Sequence, residues 1–212
     1  MNSITLGTNT YGLATLPTCV APSDIAIGMS DAIAVVSSPY APAQVQTQQW
    51  PGADAWDLQI TLPPLSNANA ADWEGFLAEL RGALNVFQAG DPRRTKPLGA
   101  ALGVPIAAAG NTALSTSLLT TGWKANTARL LLRGDMLQVG YRLHRVCETV
   151  ASDGSGNCTI PVWPVLREVP ATSAPIIIKN PVGVFRLAQN RRESNASKQR
   201  LTAISFRGAE VR

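Results

Sequence analysis

From Trp56 to Leu62 apolar and polar residues alternate, with Trp56, Leu58, Ile60 and Leu62 set against Asp57, Gln59 and Thr61. A period of two is that of a half-buried antiparallel strand. Pro63 and Pro64 end it, because proline has no N–H to give to the ladder. The period then changes. Trp73, Phe76, Leu77, Leu80 and Leu84 recur at helical spacing and make one apolar stripe, with Glu74, Glu79 and Arg81 off it. Asn69 is the expected N-cap, and Asp72 complements the helix N-terminus. The stripe predicts a helix over 69–85 lying flat on a sheet. Gly82 falls inside that helix, where glycine costs about 1 kcal/mol relative to alanine, and so marks a close contact. Phe87 anchors the exit before the turn Gly90-Asp91-Pro92.

Elsewhere the pattern is of short strands. Residues 3–8 and 31–36 are the first expected strands. Between them Pro17, Pro22, Gly28 and small polar residues predict a long irregular segment, of a length unusual in a compact domain unless it has a partner or a task. Residues 44–50 read as a polar, edge-like strand, and 88–104 as an extended, proline-fixed loop. Further strands are expected at 105–109, 113–119, 128–133, 136–140, 142–150, 157–163 and 174–179, and a last one around 201–206. Such short, turn-separated strands predict a small barrel or sandwich. Residues 189–199 (QNRRESNASKQ) form a polar, charged loop.

Composition narrows the class. The chain has 212 residues, 45% hydrophobic and only 15% charged, enough for a real core but with little charge for a free surface. Neighbouring subunits covering that surface and a neutral polar surface explain the low charge equally well. No run of about 18 apolar residues exists to insert in a membrane, and the N-terminus has neither the basic nor the apolar region of a signal peptide. Charge is unevenly spread. Residues 179–212 hold eight basic and two acidic side chains, a net +6, which leaves −2 on residues 1–178 out of the total of +4. A basic end favours an acidic partner. Apolar strand residues dilute it, so a protein neighbour is expected rather than a specific nucleic acid.

Candidate chemistry is sparse. The three cysteines do not make a disulfide scaffold. If the Asp153-Gly154-Ser155-Gly156 turn centres on Gly154-Ser155, Cys158 faces Ala151 and Cys147 faces Val162, so those two do not pair. No CxxC and a single histidine argue against a metal site. His144, the one imidazole, lies in an alternating strand between Arg142 and Arg145, where it reads as a strand-surface residue with a depressed pKa. Asp135 after Gly134 is a turn residue. No spacing of carboxylates suggests glycoside hydrolysis, and no glycine pattern suggests a phosphate or dinucleotide loop. No catalytic residue, cofactor or metal is therefore expected, and the chain does not read as an enzyme. Trp56 and Trp73 fit core positions. Trp50, Trp123 and Trp163 lie beside prolines or turns and are the ones expected to be exposed, as a carbohydrate-binding face would require.

Three pieces in this order resemble the distal tail proteins, minor tail proteins of long-tailed bacteriophages (siphophages): WDLQITLPPL…ADWEGFLAELRGALNVFQAGDP, LLLRGDMLQVGYRLHRV, and SDGSGNCTIPVWPVLRE. The ending VGVFRLAQN…LTAISFRGAEV is similar to the closing strands of such proteins, and the likeness spans roughly residues 54 to 212. The resemblance implies a mainly β chain: a tail-tube-like β-sandwich or split barrel with one flanking helix, and an added small β-barrel-like domain. It implies a ring-forming belt domain over 1–95 and 181–212, with 96–180 as an added domain facing outward. It implies a structural virion protein, assembled in the host cytoplasm as a hexameric ring at the tail tip. That ring would join the tail tube protein to the baseplate hub and contact the tape-measure protein, leaving a channel for DNA. On this reading Arg191, Arg192, Lys198 and Arg200 lie at a protein–protein boundary, and Trp73, Phe76, Leu77, Leu80 and Leu84 form the helix core. The alternative is a carbohydrate-binding or receptor-binding β module of a tail tip.

Overall fold

A computed structural model describes residues 2–37, 39–41, 43–190 and 201–212, and the backbone of 195–196. The chain is mainly β with one α-helix among the described residues, the class expected from its pattern. In order the elements are β1 (Asn2–Leu6), β2 (Asn9–Ala14), β3 (Asp24–Ser30), β4 (Ile33–Ser37), β5 (Val45–Gln49), β6 (Ala55–Thr61), α1 (Asn67–Glu79), β7 (Val86–Ala89), β8 (Gly103–Ala107), β9 (Ser117–Trp123), β10 (Met136–Val139), β11 (Arg142–Val146), β12 (Cys158–Trp163), β13 (Ile176–Ile177), β14 (Gly183–Leu187), β15 (Asn195–Ala196), β16 (Thr202–Ala203) and β17 (Ser205–Glu210).

Two sheets carry the body. A seven-stranded sheet runs β1-β2-β7-β14-β17-β6-β3, and a six-stranded sheet runs β13-β10-β11-β12-β9-β8. The strands of the first come from residues 2–89 and 183–210; those of the second all lie within 103–177. The second sheet nearly closes on itself. Its end strands meet through an Ile106–Pro175 bridge and the hydrogen bonds Ala107 N–H to Ala174 O and Ser173 N–H to Ala107 O, both 2.9 Å. Closure removes the exposed edges that an open sheet leaves. Leu118, Leu130, Leu137, Val146, Ile160 and Val162 fill this barrel.

The alternation in β6 faces as expected, with Trp56, Leu58, Ile60 and Leu62 all buried. Helix α1 lays Trp73, Phe76, Leu77 and Leu80 on that face of the seven-stranded sheet, in one cluster with Phe87, Phe185 and Phe206. The rings meet edge to face: Phe76 and Phe87 have centroids 5.8 Å apart at 81°, and Phe87 and Phe206 6.0 Å at 75°. This is the favoured geometry for aromatic quadrupoles.

Several expectations need correction. The helix begins after Ser66, not Asn69, and its first turn is closed by Ala70 N–H to Ser66 O at 2.8 Å. It ends near Leu80, because Arg81 and Gly82 take left-handed φ of 48° and 70°. Gly82 is thus a terminating glycine rather than an interior one. Asn85 covers the last turn, its side-chain amide donating to Glu79 O at 2.8 Å. Leu84 falls beyond this stop and is 61% exposed, so it is not part of the helix core. The segment expected to be irregular holds two strands, β2 and β3. Gly7, at φ 58°, makes the two-residue turn of a β1–β2 hairpin. Residues 128–133 are no strand: Arg129 has φ 55°, and only an isolated bridge joins Leu131 to Val150.

Candidate assembly interface

Strands β4 and β5 pair only with each other among the described residues. Directly opposed residues share a face in an antiparallel ladder. The register pairs Ile33 with Gln49, Val35 with Thr47 and Ser37 with Val45, which gathers Ile33, Val35 and Val45 with Ser37, Thr47 and Gln49 on one face. Every residue of β5 is exposed, and Val35 is 65% exposed. Nearby Trp50 is 47% exposed and Tyr40 96%. The edge-like strand read at 44–50 therefore belongs to a ribbon that projects from the body with exposed β-branched side chains on one face and two edges that are unpaired among the described residues. A lone two-stranded hairpin is marginal in water, and an exposed edge is a template for pairing.

The ribbon continues a longer hairpin. Below it β3 pairs with β6 from Asp24–Thr61 to Ser30–Ala55. Two residues, Asp31 and Ala32, link β3 to β4 on the first arm, whereas five, residues 50–54, link β5 to β6 on the second. The unequal arms interrupt the ladder at the root. The Asp54 carboxylate accepts from Ala32 N–H at 3.2 Å, and Trp50 N–H donates to Ala32 O at 3.1 Å.

Beside the root lies a buried polar cluster at the seam between the sheets. The Arg167 guanidinium donates to Gly52 O at 3.2 Å, Val211 O at 3.2 Å, the Glu210 carboxylate at 3.1 Å and Asp54 O. Glu210 also accepts from Trp56 N–H at 3.0 Å. Burial opposes both charges, pushing the Glu210 carboxyl up and the Arg167 guanidinium down, while their mutual attraction works against each shift. Arg142 donates to Val211 O and, at 2.8 Å, to Glu168.

His144 belongs to this seam and is buried, not on a strand surface. Its Nδ1 lies 2.8 Å from Pro164 O. A carbonyl can only accept, so Nδ1 carries the proton. Burial first, and Arg167 and Arg142 after it, lower its pKa to about 4, against the raising effect of the Pro164 carbonyl. Asp135 is also buried; its carboxylate accepts from Leu98 N–H at 2.7 Å, Leu132 N–H at 2.8 Å and Gly99 N–H at 3.2 Å, which pins the 96–102 loop to the barrel. Both polar residues singled out in the sequence thus hold structure together.

Of the three tryptophans expected at the surface, Trp50 is exposed, but Trp123 is buried and donates to Thr120 Oγ1 at 2.7 Å. Trp163 packs edge-on against Trp56, with centroids 4.6 Å apart, and donates to Asp31 at 2.8 Å. The cysteines are free thiols: Cys19 exposed, Cys147 half-buried, Cys158 buried. The β11–β12 register places Val146 opposite Val162, and Cys147 N–H donates to Pro161 O, one residue away from the register expected from the turn. Arg191, Arg192, Lys198 and Arg200 lie outside the described residues.

Among the described residues no three His, Cys, Asp or Glu side chains group as metal ligands. No helix among them is long and apolar enough to cross a membrane. No protein-family model matches the chain, and no curated protein matches it.

Proposed function

We propose that this chain is a structural virion protein of the distal-tail class, forming a ring at the end of a phage tail. In that role it joins the tail tube to the baseplate hub around a channel for DNA. The observation that supports this most is the projecting β4–β5 ribbon, whose exposed Ile33, Val35 and Val45 and whose edges, unpaired among the described residues, call for a protein surface. A second copy of the chain offers one repeatedly and closes into a ring under cyclic symmetry. The sequence resemblance supports the same reading. So does the arrangement of the sheets: the strands built from the two chain ends form one sheet flanked by α1, as a tail-tube-like belt requires, and the barrel comes from the inserted segment. The belt boundaries 1–95 and 181–212, the added domain 96–180, the sixfold number and contacts with the tape-measure protein belong to this proposal. The carbohydrate-binding alternative has less support, since Trp123 is buried and Trp163 is engaged with Asp31.

Each subunit is expected to bury more than the roughly 800 Å² per partner of a standard interface, divided between two neighbours. Negative-stain microscopy of the purified chain at high concentration, alone and with tail tube protein, tests the reading. Closed rings are expected, and Val35→Asp together with Val45→Asp should abolish them while leaving the subunit folded. Rings unaffected by the double substitution would contradict the role given to the ribbon.

A further inference from the structure

The hairpin root is where a projecting ribbon ought to swivel. Its ladder is interrupted, with two residues on one arm and five on the other, and Gly52 within it has φ 80°. Yet both arms are gripped from outside, and both grips come from the barrel, from the end of β12 and the connection that follows it toward β13. On the first arm, the Trp163 indole N–H donates to the Asp31 carboxylate at 2.8 Å. On the second, Arg167 donates to the carbonyls of Gly52 and Asp54.

Each gripping side chain is itself fixed. The Trp163 ring stands edge-on to the buried Trp56 ring. The Arg167 guanidinium is oriented by Glu210 and by Val211 O at the end of β17. A planar fork with several donors holds direction as well as position. A third contact closes the site, where Leu114 of the barrel comes so near Gly52 that a Cβ there would stand 2.9 Å from its Cδ2.

We infer that the barrel braces the hairpin, Trp163 holding its first arm and Arg167 its second, so that the direction in which the ribbon projects is set from the barrel. The brace is a property of the single subunit; its use in setting the geometry of a ring rests on the proposed function. On that reading the barrel does more than decorate the outside of the assembly, because a partner can be reached only by a ribbon aimed correctly. Pre-orientation lowers the ordering cost of association.

The test is a pulsed spin-label distance measurement on the dilute full-length chain. Labels are placed at Gln48→Cys on the ribbon and Ser155→Cys on the barrel, with Cys19 and Cys147 replaced by serine. The parent should give one narrow distance distribution. Trp163→Phe keeps the ring against Trp56 but removes the donor, and Arg167→Lys keeps the charge beside Glu210 but loses the fork. Combined, they should at least double the width of the distribution. Should the pair not fold, Asp31→Ala with Trp163→Phe carries the test, while Asp31→Asn, which retains an acceptor, should keep the parental width. A broad distribution in the parent, or an unchanged width in the variants, overturns the inference. Broadening in a protein that never forms rings leaves the brace standing and removes the ring; rings with unchanged widths do the reverse.

Discussion

Arg167 and Glu210 face each other at 3.1 Å across the seam between the barrel and the seven-stranded sheet, with side chains 10% and 2% exposed. Deleting one member of such a pair leaves a buried charge alone, which costs about 3–5 kcal/mol, whereas replacing both is far milder. Arg167→Met should therefore lower the urea midpoint sharply, and Arg167→Met with Glu210→Gln should recover much of the loss, since glutamine can still accept from Trp56 N–H. A single substitution as stable as wild type would mean that the pair does not organise the seam.

The helix offers a sharper contrast. Leu80 is fully buried and Leu84 is exposed, although both lie on the stripe read from the sequence. Leu80→Asp should cost several kcal/mol, through lost burial and a charge placed in the core. Leu84→Asp and Glu79→Ala should each stay within about 0.5 kcal/mol of wild type. Denaturation of the three variants checks where the helix core stops, and a large cost at Leu84 would contradict the early helix end.

His144 gives a pH signature. Its pKa is about 4 in the folded chain against an ordinary 6.5, so between those values the unfolded chain binds the extra proton. Stability is then full above about pH 6.5 and falls as pH drops toward 4, by on the order of 3 kcal/mol. The raised Glu210 carboxyl acts the other way in the acid part of this window, because there the folded state holds its proton more tightly. Stability curves of wild type and His144→Asn separate the two effects, since Glu210 is common to both. The variant should lose less stability between pH 7 and 4; parallel curves would show that His144 does not titrate as its burial requires.

Thiol chemistry provides a control on the register of β11 and β12. Cys19 is exposed and Cys158 buried, with burial pushing the Cys158 thiol up to about 11. A thiol reagent should modify Cys19 at once and Cys158 only on unfolding. Reductant should leave the melting temperature unchanged, and a drop on reduction would signal a bridge.

What could be read without coordinates follows from where local pattern and tertiary context agree. Strand β6 and the first part of the helix stripe were legible because their periods match their burial along their length. Leu84 was not, since the stripe continues in sequence while the backbone turns left-handed at Arg81 and Gly82. Arg129 broke the 128–133 strand in the same way. Strands β2 and β3 were obscured by the prolines and glycines around them, although Gly7 at a tight turn and the Ile25–Ile27 alternation were usable signals. The polar strand at 44–50 reads as an edge, but its pairing with β4 in a projecting ribbon has no signal in the sequence. Neither has the root cluster, because Asp31, Gly52, Asp54, Trp163, Arg167 and Glu210 come from distant parts of the chain and share no spacing. The solvent placement of His144 fails for a related reason, since its partner, Pro164 O, lies twenty residues away in sequence; Trp123 is buried in the barrel core, although its partner Thr120 Oγ1 is only three residues back in the same strand.

The most direct test of the ring proposal is cryo-electron microscopy of the tail particle that incorporates this chain. The account predicts several copies related by cyclic symmetry around the tail axis, between tube and hub, with each β4–β5 ribbon lying on the adjacent copy. A particle holding a single copy, or copies off the tail axis with the ribbon in open solvent, would contradict it.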